Sequence, residues 1–266
     1  MRAKKSLGQN FLMHARIAER IALSAKLPPD AVVLEIGPGT GMLTRELLKL
    51  AGKVIAVEAD EELFEKLKTD FANEIAGGKL ELVQGDIRTF AIASLPSGYA
   101  LVANIPYYLT GEIFRMFLET HNQPRRSSKS GPRPQASGPS SMTLLVQKEV
   151  ADRIVARDGK ESILSLSVKA YGTPKREFTV PRGAFKPAPK VDSAVLTIRG
   201  ISRKNFRSRE EEHLFFSLIR AGFAHKRKFV RKNLSDAGLP AGDIPEKARA
   251  EDISLSTWLN LIHHSV

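Results

Sequence analysis

The stretch Ala100 to Tyr107 opens as an apolar run and ends abruptly in Asn104-Ile105-Pro106-Tyr107. These four residue types suit one task, presenting hydrogen-bond acceptors and a flat ring to a planar amine. The Asn104 side-chain oxygen is one acceptor, and the backbone carbonyl of Ile105 is a second. Pro106 has no N–H and a fixed φ, so it stiffens the turn that aims this carbonyl. Tyr107 offers a face for base stacking, worth about 1–3 kcal/mol. An exocyclic adenine amine needs such a site more than a strong base, because its lone pair is delocalised into the ring. Acceptors on both amino hydrogens make the nitrogen pyramidal and turn its lone pair toward an electrophile. The stretch therefore reads as a clamp for an amino base swung out of its stack. A strand-end turn with a capping Asn and a core Tyr is the alternative reading of the same residues.

A second group of residues suits a cofactor. Gly37-Pro38-Gly39-Thr40-Gly41 follows the apolar run 31–36. Glycines let the backbone approach a ligand closely, and the helix that follows offers free N–H groups. After Gly37 and Gly39, a dinucleotide fingerprint requires glycine at 42, where Met42 stands. The nicotinamide reading is disfavoured for that reason, and a purely structural turn is the remaining alternative. Glu58 ends the next apolar run, where a carboxylate accepts from ribose hydroxyls. Asp86 ends the third, placed to accept from an adenine amino group. Glu35, the three glycines, Glu58 and Asp86 all fall at strand ends. Together they indicate a cofactor with adenosine but no pyrophosphate, and S-adenosylmethionine is the natural candidate.

These groups meet only if a parallel sheet lines up its strand ends. Strands are expected over 31–36, 53–60, 79–86, 99–104 and 142–147, alternating with helical patterns. One such helix, EELFEKLKTDFANEI, puts Leu63, Leu67 and Phe71 on a single face. The alternation predicts an α/β fold with right-handed crossovers. KREFTVP and DSAVLTIRG then alternate as an antiparallel pair would. From about Asn205 the pattern is purely helical. The expectation is a Rossmann-like sheet, mostly parallel with one antiparallel strand, over residues 1–204, and a small helical domain over 205–266. Within the first, 122–141 is rich in Ser, Pro and Gly, with four basic residues and no acidic one. It is expected to be a mobile, solvated insertion, with a basic arm for RNA as the alternative.

The bulk properties set limits on these readings. The 266 residues are 42% hydrophobic, enough for a sizeable core. Lys plus Arg number 41 against 29 acidic residues, a net charge of +12, which favours a polyanionic partner and first of all nucleic acid. The stretch AHKRKFVRKNL, 224–234, reads as a helix with Phe223, Val230 and Leu234 toward the core. Its Lys226, Arg227, Lys228, Arg231 and Lys232 are candidate phosphate contacts, and a solvated face is the alternative. There is no cysteine, which excludes disulfides, thiolate metal sites and Cys nucleophiles and fits a reducing cytoplasm. The six histidines lack ligand spacing, so no metal is expected. No run approaches the ~18 apolar residues of a membrane span, and the basic N-terminus lacks an apolar signal core. A cytoplasmic monomer is the expected state.

Taken together, the motifs resemble the rRNA adenine N6,N6-dimethyltransferases, within them the bacterial small-subunit branch. The likeness rests on GQNFL (8–12), EIGPGTGMLT (35–44), VEAD (57–60), QGD (84–86), NIPYYLTGEIF, QKEVADRI, AFKPAPKVDSAV (184–195) and RAEDIS (249–254). It covers nearly the whole chain, although each motif alone is weak. The resemblance implies that Asn10 and Leu12 belong to a lid over the cofactor. It also implies that Gly37 contacts the cofactor, Glu58 its ribose and Asp86 its adenine. Asn104 would close the cofactor site and polarise the target amine, and Phe185 would hold the flipped adenine opposite Tyr107. A core anchor is the alternative for Phe185. The implied substrate is a pair of adjacent adenosines near the 3′ end of 16S rRNA, each methylated twice, within an immature small ribosomal subunit. The 23S rRNA adenine methylases are an alternative that RAEDIS and the helical C-terminal domain disfavour. A non-catalytic assembly or RNA-binding factor is another, disfavoured by the intact Asn104–Tyr107 stretch, Glu58 and Asp86. Two departures stand out: Ile163-Leu164 replace the family's common Tyr-Gly, in question for packing near a sixth strand, and the 122–141 insertion is long.

Overall fold

The computed structural model describes residues 8–119 and 138–263. Nine strands are present among them: β1 (Phe11–Leu12), β2 (Val32–Ile36), β3 (Lys53–Glu58), β4 (Leu80–Gln84), β5 (Ala100–Asn104), β6 (Ser141–Gln147), β7 (Thr173–Val180), β8 (Phe185–Lys186) and β9 (Ser193–Arg199). Seven form one sheet in the order β4-β3-β2-β5-β6-β9-β7. Strands β2 to β6 pair in parallel, and β9 runs antiparallel to β6, from Ser141↔Arg199 to Gln147↔Ser193. This is the mostly parallel α/β sheet expected from the strand–helix alternation. The added two-stranded ribbon β1–β8 was not expected.

Strand order reverses direction at β2. The chain passes from β2 to β3 and β4 on one side, then returns to β5 and β6 on the other. In an open parallel sheet, a crevice forms at that switch, outside the carboxyl ends of the strands. Ile36, Glu58, Gln84 and Asn104 all end their strands at this crevice. The inner strands are buried along almost their full length because helices cover both faces.

The helices flanking the first unit are α1 (Ala15–Ser24), α2 (Met42–Leu50), α3 (Glu61–Asp70), α4 (Ala72–Ala76) and α5 (Thr110–Leu118). Helix α2 starts from Gly41, whose φ of +77° only glycine adopts readily. A Cβ there would lie 2.5 Å from Phe71 Cε2 and 2.9 Å from Leu67 Cδ2. Helix α3 is capped by Asp60, which accepts from the backbone N–H groups of Glu62 (3.0 Å) and Leu63 (3.4 Å). The single helix expected over 61–75 is in fact two, broken at Phe71 with φ −119°. Leu63, Leu67 and Phe71 are nevertheless all buried. Most of the 122–141 segment lies outside the described residues, and Ser141 already opens β6.

Contacts separate a second compact unit, Glu149–Pro174 together with the segment from Ser202 onward. The expected division at 204/205 left 149–174 with the first domain. In the structure, that segment supplies apolar surface to the helical core. The unit holds most of α6 (Lys148–Ile154), with α7 (Ile163–Lys169), α8 (Arg209–Gly222), α9 (Val230–Asp236) and α10 (Leu255–His263). Tyr171 packs against Phe206 and Phe216 at ring distances of 5.7 and 6.3 Å, and its hydroxyl donates to Glu212. Trp258 is fully buried and stacks on Phe223 at 6.4 Å. Ile163 and Leu164 form the first turn of α7 behind the cap Ser162, whose hydroxyl accepts from Ser165 N–H at 3.1 Å. The departure from the family pattern therefore sits in the first turn of a helix.

The basic stretch 224–234 is likewise not one helix. Residues 224–229 form a turn closed by Lys228 N–H donating to His225 O (3.0 Å), and α9 begins only at Val230. The buried Asn233 amide clamps it, donating to Gly222 O (2.6 Å) and His225 O (3.2 Å). Lys226, Arg227 and Lys228 thus lie on the turn, while Arg231 and Lys232 lie on α9. Among the described residues, no helix is long and apolar enough to cross a membrane.

Candidate active site

The crevice at the switch point opens as a cleft lined from the strand ends and from the segment before α1. Gly37, Gly39, Glu58, Asp86, Asn104, Ile105, Pro106 and Tyr107 line it, as does Asn10. Parallel strands bring all of these but Asn10 together, because each lies at or just beyond the same end of its strand. Leu12 and Phe185 are absent from the lining.

Gly37 and Gly39 both adopt positive φ, +64° and +60°. A Cβ on Gly37 would meet nothing within 4 Å, so the cradle there is open space facing the cleft. Gly39 N–H donates to Glu58 Oε2 at 3.0 Å, and Asp60 N–H donates to Glu58 Oε1 at 2.9 Å. One carboxylate therefore ties the glycine turn to the end of β3. Desolvation raises the Glu58 pKa above the usual carboxylate range, and the two N–H groups oppose that rise. A carboxylate has about four acceptor positions, so roughly two remain for a ligand.

Asp86 lies two residues beyond β4 and is engaged by its neighbour Arg88. The guanidinium Nε stands 3.0 Å from Oδ1 and 2.9 Å from Oδ2, and Arg88 N–H donates to Oδ1 at 2.9 Å. This partner holds the Asp86 carboxyl below its ordinary value. A ligand amine at Asp86 must share these lone pairs with Arg88.

At the end of β5, Asn104 Nδ2 donates to the backbone carbonyl of Asn10 at 3.1 Å. That bond fixes the amide flip and leaves Oδ1 as the accepting atom. Ile105 is buried and also borders the cleft. Tyr107 begins a short 3₁₀ turn, Tyr107–Leu109, behind Pro106 with φ −56°. Its hydroxyl lies 2.6 Å from Ser193 Oγ at the start of β9. Burial holds the Tyr107 phenol above its ordinary pKa.

The segment before α1 crosses the cleft. Gln9 Nε2 donates to Asp60 Oδ2 at 3.0 Å, and Phe11 packs close to Gly39, whose Cβ would lie 3.2 Å from its ring. In a strand, alternate residues face opposite sides. With Phe11 over the cleft, Leu12 turns inward and is 5% exposed. The cleft-facing place expected for Leu12 is thus taken by Phe11. Phe185 pairs with Leu12 across the ribbon and sits in the same apolar cluster, 4% exposed. With its ring buried, it has no face free for a base, and its place is that of a core anchor. Sequence reasoning also left out Gln9 and Tyr108, which line the cleft, and Ser193, whose partner is 86 residues away. The motif GQNFL was the available signal for Gln9 and Phe11, but not for which side chain faces in.

Behind the cradle, Glu35 is fully buried, and its Oε2 has no hydrogen-bond partner among the described residues. Desolvation pushes its pKa from about 4.5 up to about 8, and the nearby Thr44 hydroxyl offsets only part of this. Because the folded value is raised, the protonated form is the one the fold favours. Its contribution to stability is complete below about pH 4.5 and is lost as pH rises to about 8. Glu35→Gln, which cannot ionise, should abolish that loss. Relative to the variant, wild type is expected to lose melting temperature steadily between pH 5 and 8. Parallel melting curves across that window would refute the assignment.

Among the described residues, no group of three or more His, Cys, Asp or Glu side chains is placed to hold a metal ion. The basic surface of the second unit is partly neutralised. Lys228 and Lys232 pair with Asp236 at 3.4 and 2.7 Å, and Arg231 donates to Ile244 O at 3.1 Å. Lys226 and Arg227 are exposed on the turn.

The family model for ribosomal RNA adenine dimethylase matches residues 1–263. A protein of Deinococcus radiodurans named ribosomal RNA small subunit methyltransferase A is 38% identical over 269 residues, covering 96% of this chain and 83% of its own. Its namesake from Fusobacterium nucleatum is 33% identical, covering 97% and 96%. Among solved structures, the dimethyladenosine transferase of Plasmodium falciparum superposes with a TM-score of 0.75 at 25% identity, covering 96% of each chain. The 23S rRNA methyltransferase ErmE also superposes at 0.75, with 27% identity and coverage of 96% and 98%. With a family match over nearly its whole length and a cleft built from that family's motifs, the chain belongs to the ribosomal RNA adenine dimethylases.

Proposed function

We propose that the protein transfers methyl groups from S-adenosylmethionine to N6 of two adjacent adenosines near the 3′ end of 16S rRNA, within the immature small ribosomal subunit. The observation that carries this reading is Asn104, whose Nδ2 is taken by the Asn10 carbonyl, leaving Oδ1 as the acceptor of a residue that lines the same cleft as the Gly37–Gly39 cradle and Glu58. The small-subunit substrate is favoured over the large by the names of relatives that are 33–38% identical.

The open space at Gly37 and the two remaining acceptor positions on Glu58 fit the donor's backbone and ribose. When bound, S-adenosylmethionine supplies an electrophilic methyl group. The chain's residues do the rest by placement. Asp86 accepts from the donor's adenine once Arg88 yields part of the carboxylate. Asn104 Oδ1 and the Ile105 carbonyl accept from the target amine, which localises its lone pair on nitrogen. Tyr107, braced by Ser193, stacks the target base. No strong base is needed, because the nitrogen becomes strongly acidic as it gains the methyl group and its displaced proton passes to solvent, while Asn104 stays neutral at every physiological pH.

The direct test is methyl transfer from labelled S-adenosylmethionine to small subunits that lack the modification, with the modified bases mapped. Dimethyladenosine at two neighbouring positions is expected. Transfer only to large-subunit RNA would move the assignment to that substrate, and no transfer to either would overturn it.

The exposed turn is read as a phosphate-binding surface. Double charge reversal of Lys226 and Arg227 to Glu should weaken particle binding and lower the log–log salt slope by roughly 2, about one per lost phosphate contact. A slope equal to that of wild type would remove the turn from the RNA surface. Arg231 is a poorer test residue, since its guanidinium is committed to the Ile244 carbonyl.

A further inference from the structure

Tyr107 and Tyr108 are neighbours in sequence but occupy different settings. Tyr107 is half-buried and bound to Ser193, whereas Tyr108 is 57% exposed although it lines the same cleft. The cause is the 3₁₀ turn, closed by Leu109 N–H donating to Pro106 O at 2.9 Å. At three residues per turn, successive side chains point about 120° apart. Tyr108 is also held from behind. A Cβ on Gly8 would lie 2.9 Å from Tyr108 Cε1 and 3.6 Å from Pro106 Cβ, so the ring packs on the bare Gly8 backbone at φ +59°. Arg88, its side chain 51% exposed, stands on the same rim. A large ring fixed at its back and open to solvent beside a base-stacking tyrosine is shaped to receive a second planar group.

We propose that Tyr108 is a second stacking platform, which receives the nucleobase adjacent to the flipped adenine. This rests on the reading of the cleft as an adenine N6-methylation site. When one base leaves the stack, its neighbour loses a stacking partner. An aromatic ring at the cleft mouth replaces that partner, and it does so for any base, since every base has a π-face. For a substrate of two neighbouring adenosines, the platform keeps the second target docked one nucleotide away while the first is modified.

The experiment compares Tyr108→Ala, Tyr108→Phe and Tyr108→Trp on unmodified small subunits, reading KM for the particle, the share of product modified at both positions, and S-adenosylhomocysteine affinity by calorimetry. Tyr108→Ala should raise the particle KM about 5- to 150-fold, the range that stacking one base supplies. It should also lower the doubly modified share and leave cofactor affinity unchanged. Phe and Trp should restore the KM and the doubly modified share, again with cofactor affinity unchanged, which an unfolded or merely loosened protein would not allow. Unchanged KM and product distribution for Tyr108→Ala would overturn the platform. So would a fall in cofactor affinity matching the rise in KM, which would make Tyr108 only a brace for the Gly8 segment. Failure of the site reading itself is separable, because Tyr107→Ala would then retain normal adenine N6 turnover.

Discussion

Asn104→Ala should lower methyl transfer about 10²–10³-fold, the usual effect of deleting one preorganised partner of the transition state. The loss belongs in the chemical step. Among the described residues the side chain makes one hydrogen bond, from Nδ2 to the Asn10 carbonyl, which leaves Oδ1 as the acceptor at the cleft wall. Removing it deletes the acceptor that localises the amine lone pair, while the turn on Lys226 and Arg227 is untouched. Particle affinity should therefore stay within about twofold of wild type, since phosphate contacts dominate such binding. Asn104→Asp separates the two roles of the amide. A carboxylate keeps an acceptor but cannot donate to Asn10 O, and it faces that carbonyl with negative charge. This variant should retain more turnover than Ala, yet bind cofactor more weakly because the N-terminal segment is released. Single-turnover transfer and calorimetry on both variants make the check. Equal turnover for wild type and Ala would remove Asn104 from the chemistry.

The second large effect is expected at Glu58. Its oxygens accept from Gly39 and Asp60 N–H at 3.0 and 2.9 Å, so the side chain both shapes the glycine turn and faces the cleft. Glu58→Ala leaves two buried N–H groups without partners and removes the acceptor for ribose. Hydrogen bonds to a charged group are worth roughly 1.5–3 kcal/mol each, so cofactor affinity should fall about 10²-fold or more. Glu58→Gln keeps the shape, but its amide presents one oxygen where the carboxylate has two. It should retain most of the stability lost by Ala while recovering little of the cofactor affinity. Calorimetry with S-adenosylhomocysteine, paired with urea denaturation, distinguishes the outcomes. If Gln binds cofactor as wild type does, Glu58 serves the turn and not the ribose.

Much of this site is legible in the sequence because its parts are local. A glycine turn after an apolar run, a carboxylate at a strand end, and an Asn-Ile-Pro-Tyr turn each depend on backbone within a few residues. Strand–helix alternation then suffices to put Gly37, Glu58, Asp86 and Asn104 at one edge, since parallel strands share their carboxyl ends. The tertiary structure decides what long-range contacts control. Asn104 meets Asn10 across 94 positions, Tyr107 meets Ser193 across 86, and Gln9 meets Asp60 across 51. No periodicity encodes such pairs. Whether Phe11 or Leu12 faces the cleft depends on the pairing of β1 with β8, since a one-residue shift exchanges the two faces. The same pairing draws Phe185 into the core and so decides between the base-holding aromatic and the core anchor, both of which its sequence left open. The basic stretch reads as one helix by composition, yet the buried Asn233 amide holds 224–229 as a turn. Local chemistry thus names the groups that react, and burial among distant partners decides which way each of them points.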